Sequence, residues 1–88
     1  MTNKETRAVF DRLARRYVRG IIGEDRPVGL NQIDATSVAW HIFNNKPLGV
    51  RMIWRIAYDA AAQALAESGL SRIDGMYVLP PLTVGGAA

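Results

Sequence analysis

The sequence contains no cysteine. That absence excludes a disulfide scaffold, thiolate zinc sites and cysteine nucleophiles. Histidine occurs once, as His41, so a metal centre would have to be built around it from carboxylates alone, a poor set for the metals that imidazole and thiolate select. No uncharged apolar run approaches the ~20 residues that a membrane-spanning helix needs. The N-terminal stretch MTNKETRAVF is polar and lacks the apolar core of a secretory signal. There is no phosphate-cradling glycine loop, no G-x-S-x-G elbow, no H-E-x-x-H pair and no EF-hand loop. A Ser/His/Asp triad would need His41 together with Ser37 and Asp34, two residues that stand where a helix starts. With the usual catalytic groups missing, the expectation is a non-enzymatic protein without metal or cofactor, and these absences fit a cytoplasmic one.

What is present describes one domain. The chain has 88 residues, of which 49% are hydrophobic and 22% charged, enough for a single modest core and too apolar for disorder over most of its length. The formal net charge is +3. A mildly basic balance favours an anionic partner, but the placement of the charges matters more than their sum.

The run 50–68, VRMIWRIAYDAAAQALAES, is the longest helix-compatible stretch. At about 100° per residue, Ile53, Ile56, Ala57, Ala60 and Ala64 share one side, and Trp54, Tyr58, Ala61 and Leu65 extend it. A face this wide predicts packing against at least two neighbours. Its alanines favour helix intrinsically. Pro47 and Gly49 bound one end and Gly69 the other, where a left-handed residue would stop the helix. Ala57, Ala60, Ala61 and Ala64 are small residues at helical spacing. They serve either close internal packing, the reading preferred for so small a domain, or a seam between two copies of the chain.

Residues 3–22 read as a first helix. Thr2 and Glu5 match a capping box, and Asn3 is also a good N-cap. Val9, Phe10, Leu13, Ala14, Tyr17 and Ile21 fall on one face. On the other, Arg12, Arg15, Arg16 and Arg19 lie within an arc of about 100°. Like charges four apart cost a few tenths of a kcal/mol each. Asp11, four before Arg15, and the C-terminal end of the helix dipole offset that cost. The strip reads equally as a solvated face and as an anion site, since arginine presents a planar fork of donors to phosphate or carboxylate.

Residues 23–33 form a turn-rich connection in which Glu24 and Asp25 could pair with Arg26 or mask the strip. Asp34 is a good N-cap for a second helix running to about Asn44. Ala35, Val38, Ala39, Ile42 and Phe43 form its apolar face. Trp40 projects away from that face, to pack on another element or to serve as a contact residue. The sequence 44–49 then turns into the long helix. A short helix, a turn and a longer helix raise the question of a helix-turn-helix, with Arg51 and Arg55 opening the recognition helix. Met52, Ile53 and Trp54 crowd positions where short polar residues usually stand, so the motif is not assigned.

Asp74-Gly75 is a turn signal, and 76–79 is a short apolar run with β tendency that Pro80 and Pro81 interrupt. An apolar tail of this kind packs on its own body or is captured by a partner.

The sequence therefore predicts an all-α fold of three helices with the third central, in a helical domain 1–72, followed by an extended C-terminal arm, 73–88. The first functional expectation is a nucleic-acid-binding accessory or regulatory protein that contacts phosphates through Arg12, Arg15, Arg16 and Arg19, supported by Arg51 and Arg55. The alternative is a protein-interaction or inhibitor module that presents Trp40, Tyr77, Leu79 and Leu82 to an acidic protein surface, with arginines as anchors.

Overall fold

The computed structural model describes residues 1–82. It holds three helices and a small antiparallel sheet in the order α1 (Asn3–Ile22), β1 (Gln32–Ile33), α2 (Ala35–Asn44), α3 (Trp54–Glu67), β2 (Ser71–Ile73) and β3 (Met76–Val78). The fold is thus mainly helical, and the all-α expectation is corrected by the sheet, whose strand order is β1-β3-β2. Strands of two or three residues carry too little periodic signal to be read alone. They exist because Ile33 pairs with Tyr77, and Arg72 with Tyr77 from the other side. The 72/73 boundary expected between helical domain and arm falls inside β2. The arm packs on its own body as far as Leu79, whose amide donates to the Asn31 carbonyl at 2.9 Å. The rest of the arm, 83–88, lies outside the described residues.

Local chemistry sets the helix ends. The capping box at α1 forms as read. Thr2 Oγ1 accepts from the Glu5 amide at 3.1 Å, and Glu5 Oε1 accepts from the Thr2 amide at 3.0 Å. At the other end Arg26 donates from Nε to the Ile21 carbonyl at 2.8 Å and from Nη2 to the Ile22 carbonyl at 3.1 Å. A guanidinium there satisfies orphan acceptors and complements the helix dipole. It also answers what Arg26 does: it caps a helix and makes no ion pair with Glu24 or Asp25. Asp34 caps α2 through its Oδ1, which accepts from the Ser37 amide at 2.9 Å.

The long helix is shorter than its apolar pattern suggests. It begins at Trp54, not Val50, and its N-cap, Ile53, has no side chain that can accept a hydrogen bond. Val50 is buried in the core, and Arg51 Nη1 donates to Asn3 Oδ1 at 2.7 Å. Tertiary anchoring of these two residues holds 50–53 off the helix, where no Ser, Thr, Asp or Asn stands to initiate it earlier.

The core lies where the three helices meet. Phe10, Ala14, Val18 and Ile21 of α1 pack with Val38, Ala39 and Ile42 of α2 and with Leu65 of α3. Ala57, Ala60, Ala61 and Ala64 are all buried in this same core, none more than 6% exposed. The idea of a seam between copies is therefore corrected. These alanines let α1 and α2 approach α3 closely and are not on an accessible surface. Leu79 closes the core at 5% exposure.

Candidate functional site

The face of α1 that turns away from Phe10, Ala14 and Val18 carries Arg12, Arg15, Arg16 and Arg19, and all four are exposed. The two salt bridges among the described residues involve neither these arginines nor their carboxylate neighbours beyond Asp11. Asp11, read as a partner for Arg15, is instead held by Arg7 Nε at 2.8 Å. Arg7 Nη2 also donates to Gln63 Oε1 at 2.6 Å, and Gln63 Nε2 donates to Glu67 Oε1 at 2.9 Å. This relay ties α1 to α3 and gives Asp11 and Glu67 partners other than the four arginines, although Asp11 lines the strip's own depression and Glu67 shares a concavity with Arg15 and Arg19. Glu24 and Asp25 do not mask it by ion pairing. The Asp25 amide donates to the Gly20 carbonyl at 3.0 Å, which holds the connection against the last turn of α1. The four arginines, with Ala8 and Asp11, frame a shallow depression of about 600 Å³. Four guanidiniums around one concavity, without carboxylate partners among the described residues, suit a polyanion that brings several oxygens at once.

A second concavity, of about 370 Å³, runs between α1 and α2. Leu13, Ile21 and Ile42 supply its apolar floor, and Arg16, Asp25 and Asn45 its polar rim. Tyr17 and His41 also line it, their rings stacked with centroids 3.7 Å apart and planes 12° from parallel. Burial pushes the His41 pKa below its ordinary value and the Tyr17 pKa above its own, because both lose solvation of the charged form. Arg16 borders this groove and the arginine depression alike. The stack joins residues from two helices, and nothing in the sequence marks it. His41 alone reads as a hydrogen-bonded or solvent-facing residue.

The remaining sequence-predicted residues lie elsewhere. Arg51 is exposed but tied to Asn3. Arg55, in the first turn of α3, pairs with Asp59 at 3.3 Å on an open surface. Trp40 is both packed and exposed. Its ring lies 4.5 Å from that of Trp54, yet 51% of the residue is open to solvent. Phe43 and Tyr58 complete this aromatic cluster, and Met52 is exposed as well. Tyr77 is half-buried in β3, with the Arg72 guanidinium 5.5 Å from its ring centre. Leu82 is exposed and Leu79 is inside the core.

Helices α2 and α3 are joined by the long connection 45–53, not by the three- or four-residue turn of a helix-turn-helix, so the motif is not formed. A true helix-turn-helix enters the major groove by the N-terminal residues of its second helix. Here that end shows Trp54, Arg55 and Tyr58, and the outward strip continues through Asp59, Ala62 and Ala66. With Arg55 and Asp59 paired, the strip is nearly neutral and offers few donors to base edges. Of the two faces, the one on α1 has the charge.

No helix among the described residues is long and apolar enough to cross a membrane. No group of His, Asp and Glu that could hold a metal ion is found among the described residues. In comparisons with protein-family models, curated proteins and solved structures, the chain has no significant match to any.

Proposed function

We propose that this protein is a small non-enzymatic nucleic-acid-binding module, with an accessory or regulatory role, that grips backbone phosphates through Arg12, Arg15, Arg16 and Arg19. One observation carries the reading: the four arginines surround a single depression on α1, all exposed and none in a salt bridge among the described residues. Phosphate contact of this kind gives weak sequence preference and strong salt dependence. The test is binding of labelled nucleic acid across a salt series. Arg12→Ala with Arg16→Ala should reduce the slope of log K against log salt by roughly 1.4 to 1.8, the share of two phosphate contacts. An unchanged slope in that double variant would take the strip out of the interface.

A second reading, a protein-interaction or inhibitor module, is favoured by an aromatic cluster in which Trp40 and Tyr58 are exposed around a half-buried Trp54, with exposed Met52 beside it in sequence. Aromatic anchors rimmed by arginine are the groups that dominate protein interfaces. Under this reading Trp40→Ala abolishes retention of a protein partner while nucleic-acid binding stays as it is.

A further inference from the structure

The arginine depression and the groove between α1 and α2 share Arg16, so a strand whose phosphates follow the depression passes the mouth of the groove. The groove differs from the strip in chemistry. Its floor is apolar, through Leu13, Ile21 and Ile42, and one wall is aromatic. His41 is exposed, and Tyr17, more deeply set, backs it at 3.7 Å. No side-chain hydrogen bond among the described residues engages the His41 ring, the Tyr17 hydroxyl, the Arg16 guanidinium or the Asp25 carboxylate. Donors and acceptors on the rim are thus open to a ligand.

We infer that this groove takes one unpaired nucleobase, stacked against the His41–Tyr17 pair while its flanking phosphates lie on Arg16 and the arginine strip, so that the protein prefers single-stranded nucleic acid over duplex. The inference rests on the phosphate-binding reading above and adds the class of partner. Four features support it. A base in a duplex is stacked on its neighbours and cannot enter a groove between helices, whereas a base in a single strand can swing out. Aromatic stacking beside a positively charged track is the means by which single strands are held without sequence readout. The alternative surface for duplex, the outward side of α3, is nearly neutral because Arg55 is paired with Asp59. Asp25 on the rim accepts hydrogen bonds, which suits a base edge bearing an amino group.

The experiment is fluorescence anisotropy with one labelled mixed-sequence oligonucleotide in three forms, single-stranded DNA, single-stranded RNA and duplex DNA, each titrated over a salt series. The expected result is tighter binding of one or both single strands than of duplex. The two single-stranded arms then tell which sugar is preferred. His41→Ala should weaken single-strand binding by about tenfold, the loss of one stacked base, with duplex binding and the salt slope unchanged. His41→Phe, which restores a ring, should recover most of that loss. His41 is exposed on α2, and alanine is a strong helix former, so the fold tolerates the change. Duplex bound as tightly as single strands, or a His41→Ala variant with unaltered single-strand affinity, would overturn the inference while leaving the strip in place. Duplex preference weakened by Arg55→Ala would overturn it too and move recognition to α3. No binding of any form at low salt would remove the phosphate reading itself, and this inference with it.

Discussion

Thr6 shows how a single atom can be out of balance with its surroundings. The residue is fully buried, and its Oγ1 is the one buried side-chain polar atom among the described residues that lacks a hydrogen-bond partner. A buried hydroxyl without a partner loses its hydration for no return. Thr6→Val keeps the shape and removes the oxygen, and should raise stability by about 1 kcal/mol, read as a shift of the urea midpoint at constant m. His41 gives a prediction in pH. Burial lowers its pKa in the folded state, so between the folded and ordinary values the unfolded chain binds more protons. The contribution to stability is complete above the unfolded value of about 6.5 and is lost as pH falls through the folded value. An NMR titration of the imidazole should place its midpoint below 6.5, the ordinary value; a midpoint at or above that value would contradict the partial desolvation of the stacked ring.

At the scale of elements, end chemistry decides more than propensity. Asp34 caps α2 and its carboxyl pKa is lowered by the bond from the Ser37 amide, so the cap weakens as acid protonates it. Asp34→Ala should cost about 1 kcal/mol, measured by thermal or chemical unfolding. The β2–β3 hairpin turns on Asp74 and Gly75, with φ of 52° and 80°. Positive φ at both central residues is the signature of the tight turn that Asp-Gly favours. Gly75→Val should destabilise by roughly 1–2 kcal/mol, because a β-branched residue resists that region. For the arginine strip, the like-charge spacing of Arg12 with Arg16 means their joint replacement by alanine should leave helix stability unchanged or slightly higher. Circular dichroism melting checks this, and it separates loss of binding from loss of fold.

At the scale of the molecule, the segment from β2 through Leu79 belongs to the body. β3 is the central strand, paired with both β1 and β2, and Leu79 seals the core beyond it. A chain of 88 residues has little core in reserve. A version ending at residue 72 should therefore lose cooperative unfolding, since it removes β3, orphans β1 and opens the core at Leu79. A sharp urea transition in that truncated chain would show the helices to be self-sufficient. The two candidate surfaces also separate at this scale. The arginine depression and its groove involve α1 and α2, while the aromatic cluster spans α2 and α3, so one molecule can be mutated at each independently.

Sequence alone determined what depends on neighbours within a turn or two. The bounds of α1 and α2, the Thr2–Glu5 capping box, the Asp34 cap, the left-handed Gly69 and the Asp74-Gly75 turn follow from spacings of a few residues, as does the clustering of four arginines on one helical face. Tertiary structure decided the rest. Gln32–Ile33 becomes a strand only by pairing with residues far along the chain. α3 starts late because Val50 is drawn into the core and Arg51 to Asn3. The alanines could have faced a second copy until α1 and α2 were packed over them. Asp11 turned to Arg7, whose guanidinium also bridges to α3, and the His41–Tyr17 stack required two helices to cross at those residues. Local hydrogen bonding and periodicity are written in adjacent residues, whereas a contact between distant segments exists only once burial of apolar surface has brought them together.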